Sequence, residues 1–273
     1  MASTFSTVFL KPARTSSDGS RGLARCGPFV RRLRRGTTTR VQAGAAPREV
    51  LDARQRSKLD GSADTQFYGT PRLVHHLDAN FRAQLTALYD TKIADGAEVL
   101  DLCSSWVSHL PPGRRYSRVV GHGMNAAELA KNERLTEFVV RDLNREPSGW
   151  AFADESFDAV LCCASIQYLQ QPEAVFAEIQ RMLKPGGVAI ISFSNRMFYQ
   201  KAIAAWRDNS DYGRCTLVKS YFAAAGGFGP AEVIKQVQVQ PSSNPLAQAQ
   251  LWAERLFGGG NTDPFFAVVA NKL

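Results

Sequence analysis

Short apolar runs recur along this chain with room for about one helix between successive runs. They are Val99-Leu100-Asp101-Leu102, Arg118-Val119-Val120-Gly121, Phe138-Val139-Val140, Phe157 to Cys163 and Val188 to Phe193. Most carry almost no polar alternation. Strands of that kind are buried on both faces, which requires helices above and below. The alternation therefore predicts an α/β fold with a mostly parallel sheet.

The intervening segments supply the helices. Val74, Leu77, Phe81, Leu85 and Leu88 follow helical spacing after Pro71, predicting helix to about Tyr89. Ser104–Leu110 reads as a short helix stopped by Pro111-Pro112-Gly113, and Asn125–Lys131 as another. Pro172–Leu183 places Val175, Ile179, Met182 and Leu183 on one face. Lys184-Pro185-Gly186-Gly187 then ends it, a cation against the dipole followed by a left-handed glycine. Further helices are expected at 198–206, 217–225 and 246–257, and further strands at 232–239 and 265–269. No internal repeat or linker interrupts residues 72–273, which read as one domain.

Charge is distributed unevenly. The formal net charge is +8, which first suggests an anionic partner. Nine of the 33 Lys+Arg and only Asp18 of the 25 Asp+Glu fall in residues 1–46, leaving 24 of each sign in 47–273. The first 46 residues also hold eleven Ser/Thr and no long apolar run. Arg-rich, Ser/Thr-rich and acid-poor is transit-peptide composition, and it lacks the apolar core of a secretory signal. The uncharged opening Met1-Ala2-Ser3-Thr4 and the later Arg40-Val41-Gln42-Ala43 point to the chloroplast stroma, with the mitochondrion second. Residues 1–46 are expected to lack structure, and 47–71 to form a flexible lead-in. The neutral remainder offers no basic footprint for nucleic acid. No run approaches 18 apolar residues, so no membrane span is expected. Cys103, Cys162, Cys163 and Cys215 show no C-x-x-C spacing, and the four histidines no metal-site spacing, so no metal is expected.

In open α/β sheets, ligands bind beyond the carboxyl ends of the strands. Four stretches lie at those ends or lead into the strands: Asp101-Leu102-Cys103-Ser104-Ser105, Asp142-Leu143, Phe152 to Val160 with its Asp-Glu-Ser-Phe-Asp core, and Leu183-Lys184-Pro185-Gly186-Gly187. Their order and spacing resemble the S-adenosylmethionine-dependent methyltransferases of the Rossmann-like class, type 11 in particular, over residues 97–195. The resemblance implies a seven-stranded, mostly parallel sheet with helices on both faces and an antiparallel last strand. It implies S-adenosylmethionine as cofactor and a small-molecule methyl acceptor. By position it implies a cofactor pocket formed by Asp101, Cys103, Ser104, Ser105, Asn125, Asp142, Leu143 and Ser165.

Each position also has a plainer reading. Asp101 either faces the cofactor's amino group or bonds loop amides. Ser104 and Ser105 donate to the cofactor carboxylate, cap the short helix, or both. Asn125 takes a ribose contact or, with Glu128, forms a capping box. Asp142 meets adenine, beside the Leu143 amide, or faces solvent. His109 is expected as a cation at a helix C-terminus. Tyr68, His75, His76 and Tyr168 are candidate bases, and none is singled out as catalytic. The chain departs from the family at two places. The first-motif glycines are replaced by Cys103, Ser105 and Val107, and the ribose-binding acid after the second strand by Gly123. Those departures keep a second reading open, a methyltransferase-like binding or assembly factor without catalysis. A nicotinamide oxidoreductase is disfavoured, because Cys103–Ser108 contains no glycine.

Overall fold

The computed structural model describes residues 8–11, 30–31, 48–239 and 262–273. Its core is the expected sheet. The parallel strands are β3 (Glu98–Leu102), β4 (Arg118–Gly123), β5 (Glu137–Val140), β6 (Phe157–Cys163) and β7 (Leu183–Phe193). β9 (Phe266–Asn271) runs antiparallel between β7 and β8 (Glu232–Ile234). The order across these seven strands is β5-β4-β3-β6-β7-β9-β8. The chain leaves β3 to one side for β4 and β5, then returns to its other side for β6. That reversal opens a crevice at the carboxyl ends of β3, β4 and β6.

The apolar strands bury both faces. Leu100, Leu102, Val160 and Ile191 enter one core, beneath α4 (Pro172–Met182) and α6 (Asp211–Ala225). Val99, Val119, Leu161 and Ile190 enter the other, beneath α2 (Ala79–Lys92) and α3 (Ala126–Lys131). Pro172 sits in the first turn of α4, and Asp78 caps α2 by accepting from the Phe81 amide at 2.7 Å. Gly186 is left-handed, as expected.

Several expectations need correction. The sheet has nine strands rather than seven, because β1 (Val8–Leu10) and β2 (Val30–Arg31) add to the β5 edge. Those residues fall in the stretch expected to lack structure. β1 pairs antiparallel with β5, and Phe9 stacks on Phe138 at 4.9 Å, so an apolar tripeptide covers an otherwise open edge. The helix expected from Pro71 begins only after its Asp78 cap, and Val74 lies outside it, exposed. The helix expected at 198–206 shrinks to α5 (Ala204–Arg207), and the strand expected at 232–239 to β8. The helix expected at 246–257 lies outside the described residues.

The lead-in expected to be flexible is docked along its length. A short helix, α1 (Asp64–Phe67), ends it. Glu173, buried in the first turn of α4, accepts from the amides of Val50 and Leu51 and pairs with both terminal nitrogens of Arg56. Backbone groups of Gln55, Ser57 and Asp60 bond Ala205, Ala204 and Gln200. Those bonds pin the segment before α5 in turns. Lys201 is fully buried, with its ammonium 3.0 Å from Asp60 and 3.4 Å from Asp64. It also donates to the carbonyl and hydroxyl of Ser62 at 2.8 and 3.0 Å. Charged groups scattered over 140 residues of sequence carry no periodic signal, so this docking was not legible.

Glu173→Ala leaves the Arg56 charge and two amides without their partner. It is expected to cost about 3 kcal/mol and lower the melting temperature by roughly 6–12 °C. The segment around Arg54 should become sensitive to trypsin. A melting temperature within one degree of the unaltered protein would show that the lead-in is not held this way.

Candidate functional site

A cavity of about 720 Å³ opens at the crevice. Asp101, Cys103, Ser104, Ser105, Asn125, Asp142, Leu143 and Ser165 all line it. The structure thus brings together every residue assigned to the pocket from sequence, drawn from the ends of four strands. What each residue does there differs in part from expectation.

Asp101 lies near the end of β3 with its carboxylate buried and, among the described residues, bonded to neither loop amides nor a cation. Instead Oδ2 accepts from the hydroxyls of Ser104 and Ser108, at 2.7 and 2.6 Å. Burial raises its pKa to about 6, against the lowering effect of the two hydroxyls. These serine bonds also explain why no helix forms at 104–110. The chain turns through a left-handed Cys103 (φ 53°) and wraps the carboxylate. Asn132 holds the wrap from behind, donating to the Ser105 carbonyl and the Ser108 hydroxyl.

The wrapped loop crosses the end of β4, where the Ser104 amide donates to the His122 carbonyl at 2.9 Å. A Cβ on Gly123 would be driven into the Ser104 carbonyl oxygen. The position of the missing acid is therefore closed to any side chain. Asn125 caps α3 through Oδ1, which accepts from Ala127 and Glu128, while Nδ2 donates to the Tyr68 and Gly69 carbonyls. The cap half of the expected capping box is present. Glu128, however, turns into the cavity, accepting from the Ser105 hydroxyl and from the Arg72 amide at 2.7 Å. Glu128 is thus a cavity carboxylate that sequence reasoning read only as a helix cap.

At the end of β5, Asp142 accepts from the Asn144 amide at 2.9 Å, and Leu143 is buried. Asn144 in turn donates to Asp64 and to the Tyr168 carbonyl. After β6, Ser165 donates to the Cys163 carbonyl and precedes the short 3-10 turn Ile166–Tyr168. His122 was also missed. It lines the cavity, stacks on Trp150 at 5.3 Å, and neither ring nitrogen has a hydrogen-bond partner. Burial, then Arg141, pushes its pKa down to about 3, so it is neutral.

The remaining wall comes from the lead-in, the segment before α2, and the end of β7. Tyr68, His75, His76, Tyr168 and Phe198 all line it. Burial raises the pKa values of both tyrosines, and burial followed by Arg72 lowers that of His76. His75 meets Trp106 in a tilted ring contact at 4.8 Å. His109 does not sit at a helix end; burial, then Arg82 and His75, pushes it down to about 4. Among the described residues, no group of three or more His, Cys, Asp or Glu is placed to hold a metal ion, and no helix is long and apolar enough to cross a membrane.

Residues 106–191 match the family model described as a methyltransferase domain. The matched stretch runs from the loop before β4 into β7, so it is a likeness over part of this sheet. No curated protein matches the chain in sequence. Among solved structures, it is similar to an S-adenosylmethionine-dependent methyltransferase from Mesorhizobium loti, at 15% identity and TM-score 0.44, covering 68% of this chain and 96% of that one. It is similar to phosphoethanolamine N-methyltransferase 2 of Haemonchus contortus at 17% identity and TM-score 0.43, covering 72% and 54%. It is also similar to the [4+2]-cyclase SpnF at 15% identity and TM-score 0.46, covering 76% and 91%. The loop after β3 departs from the glycine pattern that the resemblance implies, and the closed Gly123 position is its direct consequence.

Gly123→Ala tests that packing. The methyl group must displace the Ser104 carbonyl, at an expected cost of about 1–3 kcal/mol in thermal unfolding. A stability equal to that of the unaltered protein would show that the loop does not cross β4 here.

Proposed function

We propose that this domain binds S-adenosylmethionine in the crevice and transfers its methyl group to a small-molecule acceptor. The observation that carries the reading is Asp101, a buried carboxylate in the cavity with hydroxyl partners only and a raised pKa. A buried carboxylate in that state gains most from a cation, and the cofactor carries an ammonium group. Other polar groups of the cavity fit the rest of that molecule. The Glu128 carboxylate replaces the absent strand-end acid toward the ribose hydroxyls, since Gly123 is closed and both ends of the Asn125 amide are used. Asp142 and the Leu143 amide face the purine. When bound, the cofactor supplies an electrophilic methyl group on a sulfonium centre.

The chain's own residues align an acceptor and exclude water. Tyr68, Tyr168 and Phe198 form an aromatic wall, with Tyr68–Tyr168 centroids at 6.4 Å and Tyr168–Phe198 at 6.0 Å. Both phenols stay protonated and serve as donors rather than bases. His76, neutral because its pKa is lowered, is the group on this wall able to take a proton from an acceptor hydroxyl or ammonium. We further place the protein in the chloroplast stroma, on the composition of residues 1–46; a fluorescent fusion to that segment reads it directly.

Calorimetric titration of the full chain with S-adenosylhomocysteine tests the reading. Binding in the micromolar range is expected at pH 7.5. Below about pH 6 the Asp101 carboxyl is protonated and loses its attraction for the ligand's ammonium, so affinity should fall about tenfold towards pH 5. Asp101→Asn should weaken binding about tenfold or more and flatten that pH dependence. Glu128→Gln should weaken it several-fold, and less for the 2′-deoxy analogue. Failure to bind at millimolar ligand would refute the methyltransferase reading and favour a binding factor that has lost the cofactor.

A further inference from the structure

The cavity holds a cation, Arg72, whose charge the reading above does not use. Arg72, on the segment leading into α2, lines the cavity wall. Its guanidinium lies 4.3 Å from the centroid of Phe67 and 5.2 Å from that of Phe198. Nη2 donates to the Phe67 carbonyl at 3.2 Å, while Nη1 is buried without a hydrogen-bond partner. Among the described residues, no carboxylate lies within ion-pair distance of this guanidinium. The other arginines of the cavity are engaged: Arg196 pairs with Asp263, Arg141 faces Glu146 at 3.6 Å, and Arg82 donates to the Leu77 and Asp78 carbonyls. The cavity carboxylates are committed elsewhere: Asp64 to Lys58 and Lys201, Asp101 to two serines, Glu128 to Ser105 and the Arg72 amide, and Asp142 to its own turn.

A planar guanidinium fixed against aromatic rings, with unused donors and no counterion, has the geometry that binds carboxylate or phosphate. Buried donors left without a partner are costly in a native structure, and a bound anion would relieve that cost. The aromatic wall of Tyr68, Tyr168 and Phe198 stands beside the same group. His76, whose ring meets Phe198 at 5.5 Å, is neutral and adds no competing charge. Arg72 and its surroundings therefore select an acceptor by charge as well as by shape.

Resting on the methyl-transfer reading, we infer that the methyl acceptor is an organic anion. Its carboxylate or phosphate is held by Arg72, and its flat, apolar part lies against Tyr68, Tyr168 and Phe198.

Four probes of common shape test this on the full chain: benzoate, phenyl phosphate, benzamide and benzylamine, followed by ligand-observed NMR up to about 10 mM. At least one anion should bind, about tenfold or more tightly than benzamide or benzylamine, and the better of the two anions identifies which group the site takes. Arg72→Met should abolish that preference, and Arg72→Lys should keep only part of it. Retained binding of S-adenosylhomocysteine by Arg72→Met shows that the fold is intact. The unaltered protein gives an independent reading: benzoate or phenyl phosphate should protect Arg72 from phenylglyoxal, measured on the tryptic peptide by mass spectrometry. The inference is overturned if benzylamine binds as well as the anions, if Arg72→Met binds the anions unchanged, if Arg72 is not protected, or if no probe binds. Anion binding in a protein that does not bind S-adenosylhomocysteine would overturn the methyl-transfer reading and leave the Arg72 site standing.

Discussion

The carboxylate of Asp101 organises the crevice. It is buried at the end of a central strand, where water cannot solvate it, so the chain must supply its partners. Ser104 and Ser108 do so, and reaching them bends the backbone through a left-handed Cys103 instead of into a helix. Three consequences follow from that one wrap. The Ser104 carbonyl crosses β4 and forbids a side chain at 123. Ser105 is presented to Glu128, which turns that side chain inward instead of leaving it on the helix surface. Trp106 is carried up beside His75, joining the loop to the segment that roofs the cavity. Replaced glycines and a missing acid, read separately from sequence as two losses, are one rearrangement.

A second buried charge ties the opposite side of the cavity to the first. Lys201 has no access to solvent and is neutralised by Asp60 and Asp64 of the lead-in. Asp64 accepts from Asn144, which also donates to the Tyr168 carbonyl and accepts from the Gln170 amide at 2.7 Å. One hydrogen-bonded network therefore spans the lead-in, the loop after β5 that carries Asp142, and the turn after β6 that carries Tyr168. The proposed purine site and acceptor wall are positioned by the same contacts. Loosening the lead-in would disturb both together, as in any site whose supporting shell is shared.

The sheet was readable because burial on both faces leaves an unmistakable apolar signature. β3 to β6 and β9 fall within about two residues of their runs, β7 starts early at Leu183, and the pocket residues implied by the resemblance line the cavity at the strand ends. The errors have a common physical origin. Ser104–Leu110 has the length and the proline stop of a helix, but hydroxyls drawn to a buried acid outcompeted the backbone. In the expected helix 198–206, the Gln200 carbonyl and the Ala204 and Ala205 amides are taken by the lead-in, and the Ile203 amide by Gln167. The lead-in itself is polar and aperiodic because it docks through charges and main chain, which leave no spacing pattern. Glu128 and Asn125 do have a pattern, the capping box, and it was correct for the cap; which way the glutamate turns depends on Ser105, brought there by the wrap.

This rearrangement bears on whether the pocket still works. Family glycines let the cofactor approach the backbone closely, and bulk at 105–107 would ordinarily block that approach. Here Trp106 and Val107 lie on a loop pulled aside onto Asp101, and about 720 Å³ of space remains between that loop and the aromatic wall. Within that space stand a buried acid bonded to two hydroxyls, a second acid near the closed Gly123 position, and an arginine with no carboxylate at ion-pair distance among the described residues. A decayed site would tend to fill with apolar side chains or to pair its own charges, because unmatched buried charge destabilises the fold without return. Keeping Asp101 and Arg72 in one cavity without an ion pair among the described residues costs stability that a bound cation and a bound anion would offset.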